Sequence, residues 1–153
     1  MTKRLSFESY EQWAKSIKPV VQAALAGERD VPPQKPFIEA WLGDALYSLD
    51  IYSQGKLVYL EEVNGSADAI NHGIPNADEI AWAFLCLRNR GWLEVQGDMY
   101  GLTAEGRHAI NTIVVQDDLE LLLNWMRTHP PSGRVTAREV FLGLGKKSKV
   151  RQK

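Results

Sequence analysis

The chain of 153 residues has a single cysteine, Cys86. It therefore has no intramolecular disulfide and no cysteine-based zinc cluster. Histidine is scarce too: His72, His108 and His129 are scattered, without ligand spacing to one another or to Cys86. No apolar stretch approaches the roughly 20 residues of a membrane-spanning helix. The opening Met1-Thr2-Lys3-Arg4-Leu5-Ser6 starts no apolar run of the kind that begins a signal peptide. Phosphate loop, dinucleotide fingerprint and nucleophile elbow are all missing. Cys86 falls in a helical pattern with no base beside it, which favours packing over nucleophilic chemistry. Glu61-Glu62 and Asp117-Asp118 read as solvated turns or caps. The expectation is a non-catalytic cytoplasmic protein that uses no cofactor and no metal.

Charge is unevenly spread. The net charge of −1 combines an acidic body with a basic end. The segment 134–153 holds seven Lys/Arg against the one acid Glu139, for +6. The segment 1–133 holds eleven Lys/Arg against eighteen Asp/Glu, for −7. The five tryptophans suit packed helices.

The spacing of Tyr10, Trp13, Ala14, Ile17, Val20, Val21, Ala24 and Leu25 predicts a helix that Ser6 caps, Pro19 kinks or divides, and Gly27 ends. Arg29 to Pro36, with Pro32, Pro33 and Pro36, reads as a stiff connector. This N-terminal helix packs either on the rest of the chain or on a second copy of it. Pro36 suits the first turn of the next helix, whose broad apolar face is Phe37, Ile38, Trp41, Leu42, Ala45, Leu46 and Leu49. A break is expected from Asp50 to Gly55. Lys56 to Val63 fits a short helix closed by Asn64-Gly65, or a strand over Leu57-Val58-Tyr59-Leu60. The helix is preferred.

Ser66 then caps a short helix ended by Gly73, and Ile74-Pro75 turns the chain. Asn76 caps a second helix with Asp78 and Glu79 in its first turn. Ile80, Ala83, Phe84 and Leu87 form its buried stripe, and Gly91 stops it. Trp92-Leu93-Glu94-Val95 and Met99-Tyr100-Gly101-Leu102 read as two strands joined at Gln96-Gly97-Asp98. Thr103 caps a closing helix carrying Ala109, Ile110, Ile113 and Val114. Further on, Leu119, Leu122, Leu123 and Met126 mark another helix, ended by His129-Pro130-Pro131.

The run Phe84-Leu85-Cys86-Leu87-Arg88-Asn89-Arg90-Gly91-Trp92-Leu93, the hairpin, and Leu102-Thr103-Ala104-Glu105-Gly106-Arg107 together resemble the winged helix of bacterial MarR-like and PadR-like regulators. The resemblance covers residues 66–113, about a third of the chain. It implies a mainly α fold with a small β-hairpin wing, a winged helix-turn-helix with an N-terminal helical extension. The expected division is an extension and proline-rich connector over 1–35, a winged-helix domain over 36–115, and C-terminal helices with a basic tail over 116–153. In that last part Thr136-Ala137-Arg138-Glu139 has capping-box spacing and echoes Ser66-Ala67-Asp68-Ala69, a partial second helix-turn-helix.

The resemblance implies DNA binding and, in the usual case, a homodimer acting in transcriptional regulation. The residues qualify this. A DNA-reading helix-turn-helix sets the start of its second helix in the major groove. Here that surface offers Ala77, Asp78, Glu79, Ala81, Trp82 and Leu85, with two acids and no base, against phosphates that demand cations. The candidate DNA contacts are therefore Arg134, Arg138, Lys146, Lys147, Lys149 and Arg151 of the basic segment, with Asn76 and Arg88 nearer the bases. The alternative is a protein-interaction adaptor whose acidic and aromatic face, Asp78, Glu79, Trp82 and Leu85, binds a protein partner. A third reading is that Trp82 and Leu85 lie beneath the chain's own N-terminal helices.

Overall fold

The computed structural model describes residues 7–114 and 119–131. The basic residues Arg134, Arg138, Lys146, Lys147, Lys149 and Arg151, and the partial repeat from Thr136, lie outside the described residues. The elements run α1 (Phe7–Leu25), α2 (Pro36–Ser53), β1 (Val58–Tyr59), α3 (Leu60–Asn71), α4 (Ala77–Arg90), β2 (Leu93–Gln96), β3 (Met99–Leu102), α5 (Ala104–Ile113) and α6 (Leu119–Thr128). Among the described residues the fold is mainly helical, with one small antiparallel sheet ordered β1-β3-β2. None of the described helices is long and apolar enough to cross a membrane.

In α1, Ala14, Ile17, Val21 and Ala24 are buried at alternating spacings of three and four, one stripe of an amphipathic helix. The helix runs through Pro19 as a single element, where a kink or division was expected. Pro19 sits on the exposed side, so the carbonyl it leaves unbonded one turn earlier, at exposed Lys15, faces water. Gly27 then takes a positive φ of 79° and turns the chain into the connector.

Helix α2 passes the expected break at Asp50 and continues to Ser53, where Gln54 closes it in the left-handed region at φ 59°. The ambiguous stretch 56–63 divides: Val58 and Tyr59 pair with Tyr100 and Met99, and helix begins at Leu60. That helix does not stop at Asn64-Gly65. Ser66, expected as a cap, lies inside α3 and donates its hydroxyl hydrogen to the Ala45 carbonyl of α2 at 3.0 Å. His72, rather than Gly73, takes the left-handed C-terminal position, at φ 52°.

From α4 onward the local chemistry sets the boundaries. The Glu79 amide donates to Asn76 Oδ1 at 2.8 Å, and the Asn76 amide donates to Glu79 Oε1 at 2.9 Å, a reciprocal cap. Gly91 closes the helix at φ 86°. The hairpin pairs Leu93 with Leu102 and Val95 with Tyr100. Thr103 caps α5 by accepting from the Gly106 amide at 3.0 Å, and its hydroxyl donates to the Gly91 carbonyl at 2.7 Å. Gly106 must lack a side chain, because a Cβ there would come within 2.6 Å of the Trp92 carbonyl oxygen.

The main core lies among α1, α2, α3, α4, the sheet, α5 and α6, with Ile17 and Val21 as the α1 contribution. Leu42, Leu46, Leu60, Ile80, Phe84, Leu87, Tyr100, Leu102, Ile110 and Leu122 fill it. Phe84 and Tyr100 meet with ring centroids 4.9 Å apart. A second, smaller core lies on the other side of α4, between that helix, α1 and the connector. It contains Ala24, Val31, Ala81, Trp82, Leu85 and Cys86, with Leu25 and Ile38 against it.

Candidate interaction surfaces

The second core decides what α4 can touch. Residues 80–87 are all buried. Ile80, Phe84 and Leu87 face the main core, whereas Ala81, Trp82 and Leu85 are covered by Ala24 of α1 and by Val31. Trp82 keeps 8% of its surface exposed and Leu85 none, so the expected partner-binding pair is packing. The small Ala24 and Ala81 let the two helices come close enough to close over the indole.

Polar contacts fasten the cover. The Arg88 guanidinium donates to the Leu25 carbonyl at the end of α1, at 2.8 Å. This puts a cation where a helix C-terminus favours one. Burial pushes the Arg88 pKa below its usual value. Lys18 of α1 meets Asp98 at the hairpin tip at 3.5 Å, and Arg29 of the connector stands 3.7 Å from Asp78. Asn76 and Glu79 are engaged in their reciprocal cap. Of the eight residues expected to contact DNA, Asn76 is exposed and engaged in its cap, and Arg88 is bound to the end of α1. The other four expected contacts, to a protein, divide into two buried residues and two acids paired or capping at the start of α4.

At the other end of α4, Arg90 organises a knot that sequence reasoning did not single out. Its guanidinium donates to both oxygens of Glu39 at 2.6 and 3.0 Å and to the His129 carbonyl at 2.6 Å. It also lies 5.3 Å from the ring centroids of both Trp92 and Trp125. Trp125 stacks on His129 at 4.2 Å. The knot ties α6 to α2 and α4. Burial pushes the Glu39 carboxyl upward, against the downward pull of the Arg90 hydrogen bonds and charge.

Burial also raises the Cys86 thiol far above the range in which a thiolate forms. Among the described residues, no group of three His, Cys, Asp or Glu side chains is arranged to hold a metal ion.

The surface that does stand open is at the end of α2. Tyr52 is 85% exposed and Ile51 58%. Beside them, a cleft of about 400 Å³ runs between α2 and α5, lined among others by Tyr47, Asp50, Ile51, Arg107, His108 and Asn111. Arg107 holds Asp50 through two hydrogen bonds of 2.6 and 2.9 Å, and the Tyr47 hydroxyl donates to Asn111 at 2.7 Å. Sequence periodicity conceals this surface. Tyr52 lies on the same helical stripe as buried Ala45, two turns further on, but α2 has by then outrun the body it packs against.

Compared with known proteins, the chain matches no family model, no curated protein and no solved structure.

Proposed function

We propose that the chain is a non-catalytic winged helix-turn-helix module, related in design to MarR-like and PadR-like regulators, that acts by assembling with protein rather than by reading DNA with α4. The design is supported by α3 and α4 joined by a short turn, followed by the β2–β3 hairpin, with β1 completing the sheet. The burial of the outer face of α4 under α1 carries the functional reading. A helix that reads bases must present side chains to the groove. Here Trp82 and Leu85 face α1, Arg88 is bound to Leu25, and the first turn offers two acids. The exposed apolar side chains at the end of α2 offer a protein-binding surface in its place.

The charge map favours a second reading, a DNA-associated regulator held on DNA through its basic end. The +6 of residues 134–153 is suited to phosphates and would give salt-sensitive, weakly sequence-specific binding. Fluorescence anisotropy with a labelled duplex, at low and near-physiological salt, separates the two. The chain and a full-length variant with Lys146, Lys147, Lys149 and Arg151 replaced by alanine are compared. Binding that disappears in the variant assigns DNA to the basic segment and leaves the body to assembly. Absence of binding by both removes the second reading. Tight duplex binding by the variant overturns the first.

A further inference from the structure

We propose that the cleft between the end of α1, the end of α4 and the β2–β3 hairpin binds a zwitterionic amino acid with an aliphatic side chain, held between Arg88 and Asp98 over the Tyr100 hydroxyl. The inference goes beyond the assembly reading and does not depend on it.

The cleft has a volume of about 530 Å³, inside the roughly 300–1,000 Å³ range of small-ligand sites. It is lined among others by Gln22 and Leu25 of α1, Arg88 of α4, and Val95, Asp98 and Tyr100 of the hairpin. Its floor holds a polar group with nothing to bind. Tyr100 is wholly buried, and its hydroxyl has no hydrogen-bond partner among the described residues. A buried hydroxyl left so is costly, and a ligand that meets it relieves the cost. The phenol feels the charge of Asp98, so its oxygen lies toward the cleft, while its ring meets Phe84 in the core. Closed to water, the hydroxyl is reached when a side chain at the mouth turns aside, and Gln22 there is exposed.

Charge fixes the class of ligand. Arg88 is half-buried, and among the described residues no ion pair includes it. One N–H goes to the Leu25 carbonyl, which sets against it only the roughly half charge of a helix end. The remaining N–H groups of the guanidinium can take a carboxylate. Asp98 lines the same cleft. Its contact with Lys18, long at 3.5 Å and partly exposed, is weak and leaves lone pairs unspent, and Lys18 lies outside the lining. The lining thus carries one cation and one anion that do not pair with each other. A simple anion would meet Asp98, and a simple cation would meet Arg88. A zwitterion meets each with the sign it requires, its carboxylate on Arg88 and its ammonium on Asp98. The Tyr100 hydroxyl both donates and accepts, so it can bond to either head. Leu25 and Val95 give an aliphatic side chain its wall. A ligand so placed spans the end of α1 and the hairpin, the parts that Arg88–Leu25 and Lys18–Asp98 already fasten, and holds α1 down by mass action.

Calorimetric titration of the full chain with L-leucine, to about 20 mM, covers the affinities open to so small a ligand. Leucine is expected to bind with a single site per chain. Isocaproate lacks the ammonium and isoamylamine lacks the carboxylate. Each is expected to bind at least about tenfold more weakly, the effect of a lost charge-assisted hydrogen bond. Tyr100→Phe, Asp98→Asn and Arg88→Gln are each expected to weaken leucine binding by about tenfold or more for the same reason. Tyr100→Phe removes only an unbonded hydroxyl and Asp98 is partly exposed, so these two variants carry the test if the melt of Arg88→Gln shows a loosened α1. No leucine binding over that range overturns the proposal. Isocaproate binding as tightly as leucine overturns the zwitterion. Leucine binding that Tyr100→Phe and Asp98→Asn leave unchanged lies elsewhere and overturns the site.

Discussion

Arg90 and Glu39 face each other through two hydrogen bonds with almost no water at either side chain, 7% and 2% exposed. A pair so placed gains little over a well-packed apolar pair, but breaking it strands a charge. Glu39→Leu alone is expected to lower unfolding stability by about 3–5 kcal/mol, whereas Glu39→Leu combined with Arg90→Met should cost clearly less than the sum of the two single changes. Urea denaturation of the four chains gives the cycle. Additive losses would mean that the two residues act independently.

Trp82 and Leu85 should behave as core. Leu85→Ala and Trp82→Ala are each expected to destabilise by about 2–5 kcal/mol, the range for emptying a packed site. The amides at the end of α1, around Ala24, should lose hydrogen-exchange protection before those of the main core, which also holds Ile17 and Val21 of α1. Tyr52→Ala should leave stability within about 0.5 kcal/mol. Equal protection across the end of α1 and the main core in the Leu85 variant would show that the end of α1 does not depend on this contact.

Tyr100 makes stability fall in alkali. Burial, with a smaller contribution from Asp98, pushes its hydroxyl up to about 12. The unfolded side chain ionises near 10. Because the folded value is the higher, the contribution is complete below about pH 10 and is lost as pH rises toward 12. Urea midpoints measured over that interval should fall steeply in the wild-type chain and less steeply in Tyr100→Phe. The hydroxyl has no hydrogen-bond partner among the described residues, so the phenylalanine variant should lose no stability at neutral pH.

Asn64 is wholly buried in α3, and neither its amide nitrogen nor its oxygen has a partner among the described residues. An unsatisfied buried amide is costly, so Asn64→Leu, similar in size, is expected to stabilise by about 1–3 kcal/mol. A raised thermal midpoint checks this, and a lowered one would mean that the amide has a bonding role.

The legible parts of the fold were those fixed by neighbours in sequence. Asn76 and Thr103 as caps and Gly91 as a stop rest on chemistry within a single helical turn, and the structure has these three as expected, adding Glu79 and Gly106 as the capping partners. Ser66 failed as a cap because a serine hydroxyl serves a helix start or a distant carbonyl equally well. The carbonyl that takes it belongs to Ala45, on a different helix. The orientation of Trp82 was beyond local pattern for the same reason: α1, far earlier in the chain, determines whether that face is wet. The candidate surface at Tyr52 was hidden by a stripe that keeps its period after the core beneath it has ended.

A helix walled on two sides has little liberty to drift. Nearly any change between Ile80 and Leu87 must first be tolerated by one core or the other before a ligand can reward it. Change is freer at the rim, where the last turn of α2 projects with Ile51 and Tyr52 exposed, than along α4, which both cores hold as architecture.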